Sequence, residues 1–319
     1  MSIDRVATAS QSAYFLAQIE SAGSALDTTQ QQIASGVKST TYAGFGNQTQ
    51  VLTATLAADA RNGAYTTATN LASTQVSEQD TQLTSLSSLA AQLQQAIGDA
   101  VANNDASSLM TQAQSIFQQA ESILNSKDAN GDYIYSGGKT DTPPVTVNSL
   151  SALQALPSVA GAFANGNLQK SVEVADGVNV SYGITASGVA TGLMQALKDI
   201  ADFDAGPTGN FNVATSLTSA QNNFLTGEIS AVNTVNTGLT SATAANGYVA
   251  NQLSDALSQQ ASMDTLYKGF ASNIQDTNMA QAATQLSLNQ TQLQAALQVT
   301  AGLHQLSLLN YLPAASTIG

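Results

Sequence analysis

The chain has 319 residues, of which only 9% are charged, against about a quarter in ordinary soluble domains; Ala, Gln, Ser, Thr and Asn fill the deficit. With 21 acidic and 8 basic side chains the net charge is −13, and no cluster of Lys or Arg occurs, which argues against a nucleic-acid groove or a polybasic membrane patch. There is no Cys to build a disulfide framework or a thiolate site, no apolar run approaches membrane-spanning length, and MSIDRVATASQSAYF lacks the basic and apolar regions of a cleaved signal peptide.

The first predicted element is a helix over residues 4–35. Ile19, Ala22, Leu26, Thr29 and Ile33 step by three and four, setting a weak apolar stripe on one face. Gly36 is placed to stop this helix, and YAGFGN (42–47) reads as an irregular linker before helix resumes near Val51. The stripe returns at Ala72, Val76, Gln79, Leu83, Leu86, Ala90, Leu93 and Ile97. After Asn103 to Asp105, which offer an N-cap, a second stripe runs through Leu109, Ala113, Ile116, Ala120 and Ile123. Two such helices joined by a short turn are expected to form an antiparallel hairpin.

The period then falls to two. Val172 and Val174 alternate before Asp176-Gly177, and Val178 and Val180 after it, a β-hairpin signal. A short helix near 192–203 follows, then the loop DAGPTGN, so a small α+β region is expected over about 128–212. Helical spacing resumes at Val232, Val235, Leu239, Ala242, Asn246, Val249, Leu253 and Ala256. Asn246-Gly247 is the expected weak point there, since Gly costs about 1 kcal/mol relative to Ala inside a helix. The last helix carries Met279, Leu286, Leu293 and Thr300 at one heptad position and Ala283, Gln290 and Leu297 at another, continued by Leu303, Leu306 and Leu309.

From Thr277 to Gly319 there is no Asp, Glu, Lys or Arg. A helix with a solvated outer face gains from charged i,i+4 pairs, whereas uncharged polar residues tolerate burial when each finds a partner. The composition therefore fits a helix sheltered on most sides, and identical copies repeating along an axis would provide that shelter. The six Leu residues from Leu286 to Leu306 would contribute on the order of 10 kcal/mol before ordering entropy is subtracted. From periodicity alone, a monomeric bundle with an uncharged face accounts for the pattern equally well.

Catalytic readings are weak. A Ser-His-Asp triad would have only His304, read as a packed helix residue. DANGDY (128–133) places Tyr133 where a calcium loop needs Gly and Lys139 where it needs Glu, so a turn is expected. The carboxylates of Asp199, Asp202 and Asp204 read as a solvated acidic loop. No phosphate loop or His-Glu metal motif occurs, so no catalytic, metal or cofactor residue is expected.

ANQL (250–253) and SNIQDTNMAQAATQLSLNQTQLQAAL (272–297) resemble the carboxy-terminal pattern of the bacterial flagellins and the related hook–filament junction proteins: Ser-x-Ile-x-Asp, an Ala-x-Ala pair, then Gln-x-x-Leu-Gln-Ala. LDTTQQQIASGVKS (26–39) is similar to the family's helix ending in a Ser-Gly-Lys/Arg turn, although the usual acidic Asp-Asp segment is replaced by TTYAGFGNQTQ. The Ile-Asn-Thr-Asn opening of filament flagellins is absent, while GDYIYSGGKTDTPPV (131–145) and LSLLNYL (306–312) resemble the junction proteins. The resemblance covers about residues 1–140 and 225–312.

It implies a mainly α fold, with long antiparallel helices from both chain ends forming a coiled-coil rod around a small central α+β insert. It further implies an amino-terminal axial helix and linker over 1–49, rod helices over 50–127 and 213–274, the insert over 128–212, and a carboxy-terminal axial helix over 275–319. The implied protein is an extracellular, self-assembling structural subunit of the flagellum, not an enzyme, exported without a cleaved signal by the flagellar type III apparatus. It has no cofactor. Its partners would be itself and other flagellar axial proteins, hook-associated protein or flagellin, with an export chaperone, and neither nucleic acid nor membrane insertion. The expected assembly interface comprises Ile19, Leu26, Ile33, Met279, Leu286, Leu293, Leu297, Leu303 and Leu306. A junction protein is favoured over a filament-forming flagellin; a secreted helical adhesin or binding module is the alternative from another class.

Overall fold

The computed structural model describes residues 2–212 and 216–309, and the side chains among them except those of residues 2–9, 12 and 303–309. Helix dominates, at 74%, with a single two-stranded sheet among the described residues, so the chain is mainly α with a small α+β insert. In chain order the elements are α1 (Ser2–Ser35), a 3-10 helix (Tyr42–Gln48), α2 (Thr49–Asn103), α3 (Leu109–Leu124), α4 (Leu150–Gln154), a 3-10 turn (Val159–Ala162), β1 (Lys170–Ala175), β2 (Val178–Tyr182), α5 (Ala186–Ala205), α6 (Ser219–Gln275) and α7 (Met279–Leu309). They form two compact units, Met1–Ala60 with Thr265–Gly319, and Arg61–Asp264.

In the first unit α1 and α7 run antiparallel. Gly36 takes φ +75°, which only glycine adopts without strain, and its N–H donates to Gln32 O at 2.9 Å to end α1. The chain then meets the start of α7: Val37 bridges Asp276, and Thr277 N–H donates to Gly36 O at 2.9 Å. The YAGFGN linker is a 3-10 helix interrupted at Gly46.

In the second unit one core gathers α2, α3, α5 and α6. The α2 stripe lies inward as its spacing predicts: Leu83, Leu86, Leu93 and Ile97 are fully buried against Phe117 and Leu124 of α3, Leu197 of α5 and Val232 of α6. The turn from α2 to α3 passes through Asn104 at φ 57°, and the residue flanking α3 is Ser108, whose side chain forms no cap, not the Asn103 to Asp105 stretch. The predicted hairpin pairs Val172 with Val180, bulges between Glu173 and Ala175, and turns at Gly177 with φ +74°. Its Val172, Val174 and Val180 pack on Ala72, Val76 and Leu253.

Two expectations are corrected. The helix near 192–203 starts six residues earlier, because Thr185 Oγ1 accepts from Gly188 N–H at 3.2 Å and so caps α5; Gly188 and Gly192 dilute its signal in the sequence. The break at Asn246-Gly247 does not occur, and α6 is continuous there. Buried Asn246 donates Nδ2 to Val76 O on α2 at 2.9 Å, which holds this turn of α6 in place.

Candidate assembly surface

Heptad steps define the sheltered stripe of each terminal helix. On α1 it comprises Phe15, Ile19, Ala22, Leu26, Thr29 and Ile33; on α7 it comprises Ala282, Leu286, Asn289, Leu293, Ala296 and Thr300. The deepest positions are not leucines: Asn289 is 3% exposed, Thr29 5% and Ala282 6%. Asn289 Nδ2 donates to Ala25 O at 3.1 Å and to Thr29 Oγ1 at 3.0 Å, and Thr29 Oγ1 itself donates to Ala25 O at 2.8 Å. Gln285 Nε2 completes the network by donating to Asn289 Oδ1 at 2.9 Å. A polar residue in such a seam selects one register, because any slip leaves it buried without partners.

This placement corrects the phase read for α7. Ala283, Gln290 and Leu297 are exposed, and the sheltered second position is one residue earlier, at Ala282, Asn289 and Ala296. Of the expected interface residues, Ile19, Leu26, Ile33, Leu286 and Leu293 come together, half-buried, within the helix pair. Met279 and Leu297 do not join them; they are 50% and 51% exposed, and at 18 residues apart, five turns, they share one flank of α7 at the edge of the seam. The side chains of Leu303 and Leu306, and that of His304, lie outside the described residues. Leu288 and Val299 are exposed on the opposite flank of α7, and Tyr14 and Leu16 are exposed on α1. On α7 these exposed apolar groups lie in a segment without Asp, Glu, Lys or Arg.

At the crossover, Lys38 Nζ donates to Asn273 O at 3.0 Å and Ile274 O at 2.9 Å, setting a cation on the carbonyl end of α6. The same amide chemistry recurs in the second unit. Asn62 Nδ2 donates to Gln260 O at 2.9 Å, while Gln260 Nε2 donates to Thr69 Oγ1 at 3.0 Å and Val174 O at 2.8 Å. These buried amides escaped the sequence reading because apolar periodicity counts Asn and Gln as interruptions. Gln79 within the α2 stripe and Asn246 within the α6 stripe were the available signal.

The remaining candidates are structural. Asp128 Oδ1 accepts from the N–H groups of Asn130 and Asp132 at 2.9 and 3.2 Å, which makes DANGDY a turn. The acidic stretch is not merely solvated: Asp202 pairs with Lys198 at 2.9 Å, Asp204 Oδ1 accepts from Phe211 N–H at 2.7 Å, and Asp199 accepts from Gln195 Nε2 at 2.8 Å. Burial, reinforced by the charge of Asp199, pushes the Glu228 carboxyl up to about 7, and its Oε2 has no hydrogen-bond partner. Among the described residues no group of three His, Cys, Asp or Glu side chains is placed to hold a metal, and no helix is long and apolar enough to cross a membrane.

Residues 229–312 match the family of the bacterial flagellin C-terminal helical region. Among solved structures the chain is similar to a Vibrio parahaemolyticus protein described as a flagellar hook-associated protein, with 19% identity and a TM-score of 0.59 over 72% of this chain and 97% of that one. It is also similar to FlgL of Bacillus cereus, with 13% identity and a TM-score of 0.51 over 69% and 98% of the two chains. Comparison with the curated proteins gives no match. At these identities the two structures speak to fold alone, and residues 229–312 carry the bacterial flagellin C-terminal helical region.

Proposed function

We propose that this chain is a structural subunit of the extracellular bacterial flagellum that assembles through its paired terminal helices, and that it serves as a hook–filament junction protein. The observation that carries this reading is the set of large apolar side chains left exposed on α1 and α7, Tyr14, Leu16, Met279, Leu288, Leu297 and Val299, together with a sequence free of Asp, Glu, Lys and Arg from Thr277 onward. Proteins of this family are structural and non-enzymatic, and we extend that to this chain. In the proposed arrangement 1–49 and 275–319 form the axial layer, 50–127 and 213–274 the rod layer, and 128–212 the central domain. Ile19, Leu26, Ile33, Leu286 and Leu293 shape the helix pair; Met279 and Leu297, with Leu303 and Leu306, supply contacts to neighbouring subunits. Those neighbours are further copies and other axial proteins, reached by export without a cleaved signal and with the help of a chaperone.

The junction assignment is supported by the likeness of GDYIYSGGKTDTPPV to the junction proteins; there Ile134 and Tyr135 are core residues. A filament-forming flagellin is the second reading, favoured by the match over residues 229–312. Electron microscopy of the full chain, alone and on hook seeds, beside a version lacking residues 1–40 and 277–319, tests both. Short caps at hook ends that vanish on truncation support the junction protein. Long helical filaments would make it a filament flagellin, and monomers under every condition would refute assembly and favour a secreted binding module.

A further inference from the structure

Within the second unit, the loop before β1, the segment from β2 into α5, and α6 enclose an open cleft of about 510 Å³. That lies inside the roughly 300 to 1,000 Å³ typical of small-molecule sites. No Asp, Glu, Lys, Arg or His lines it. Its floor is built of small apolar side chains, Ala242, Ala245 and Val249 of α6, and its walls carry Asn167, Gln169, Ser181 and Tyr182. The side chains of these four find no hydrogen-bond partner among the described residues.

Their neighbours behave otherwise. Asn165 spends its amide on Gly166 O and Ser187 Oγ, both at 2.9 Å, and accepts from Ser187 N–H at 3.1 Å. Thr185 caps α5, and Asn246 at the back of the cleft donates to Val76 O. Polar groups around the cleft that serve the fold are thus committed, whereas Asn167, Gln169 and Ser181 on its walls are exposed to solvent and open to a ligand. Leu168 and Tyr248, 70% and 65% exposed, stand next in sequence to lining residues.

We infer that this cleft binds a neutral, polyhydroxylated ligand of the saccharide class. Two carboxamides present donors and acceptors together, which matches a ligand whose every hydroxyl is both. Half-buried Tyr182, which packs against the cluster of Val76, Val180 and Leu253, also lines the cleft and offers its aromatic ring to the apolar face of a pyranose there. The lining carries no charged side chain of its own, which suits a neutral ligand, and its amides offer hydrogen bonds that an apolar ligand could not use.

The test is amide-resolved NMR of the full chain titrated with glucose, N-acetylglucosamine and cellobiose. Saturable shifts centred on Gly183, Thr185 and the side-chain amides of Asn167 and Gln169, with a millimolar dissociation constant for at least one sugar, are expected. The double variant Asn167→Ala with Gln169→Ala, at two exposed positions, weakens that binding about tenfold or more and leaves the melting temperature unchanged. Absence of shifts with all three sugars up to about 50 mM, or binding undiminished in the double variant, overturns the inference. Shifts at the same residues that follow protein concentration and not sugar overturn it too, and assign the cleft to a contact between copies.

Discussion

Replacing Asn289 separates the stability of the terminal helix pair from its register. The side chain is 3% exposed and bonds to Ala25 O, Thr29 Oγ1 and Gln285 Nε2 at 3.1, 3.0 and 2.9 Å. In Asn289→Ala, Thr29 keeps its own donation to Ala25 O, and the exposed Gln285 returns to water, so no seam group is stranded. The loss is then two seam bonds, about 1 to 3 kcal/mol in total. Asn289→Leu loses the same bonds but buries an apolar side chain worth roughly 1.5 to 3 kcal/mol. The Ala variant therefore unpairs at lower temperature, whereas the Leu variant is as stable as the parent or more so, and no longer prefers one register. With no native Cys, spin labels on cysteines introduced at exposed Ser24 and Thr291 report the register by pulsed dipolar spectroscopy. The parent is expected to give one distance and the Leu variant a second population. A single unchanged distance in the Leu variant, together with an unchanged melting midpoint in the Ala variant, would refute the reasoning.

Gly247→Ala adds a Cβ that meets nothing within 4 Å in the middle of α6. It should stabilise the chain by about 1 kcal/mol, and a lower midpoint by calorimetry would show that α6 needs flexibility there. Gly137→Ala does the opposite: φ is +59° and the added Cβ collides with the carbonyl of Gly166, so a cost of at least about 1 to 3 kcal/mol is expected in urea unfolding. For Glu228 the folded-state value, about 7, lies above the ordinary 4.5. The folded state therefore holds the extra proton between those values, and its stability falls as pH rises through that window. Glu228→Gln should flatten that slope and gain on the order of 1 kcal/mol above pH 7, allowing for partial exposure; parallel pH profiles for parent and variant would contradict the assignment.

The α2 stripe from Ala72 to Ile97 and the hairpin at Asp176-Gly177 were legible in the residues alone. In both, an apolar period coincides with the buried face, and a local signal, a turn glycine or a run of leucines, sets the phase. On α1 the same logic places Ile19, Leu26 and Ile33 on the sheltered side. On α7 it fails by one residue, because Leu297 outranks Ala296 in hydrophobicity and Gln290 looks no less polar than Asn289. What chooses between them is the facing helix, which presents the Ala25 carbonyl and the Thr29 hydroxyl at the height of Asn289 and leaves Leu297 outside. The continuity of α6 through Asn246-Gly247 has the same origin, since the local cost of Gly is met by a bond to a carbonyl 170 residues away in the chain. An apolar face can be read from spacing, because every neighbour of an oily stripe is acceptable if it is oily too. An amide needs one particular carbonyl at one distance, and that demand is met only when the two helices are already side by side.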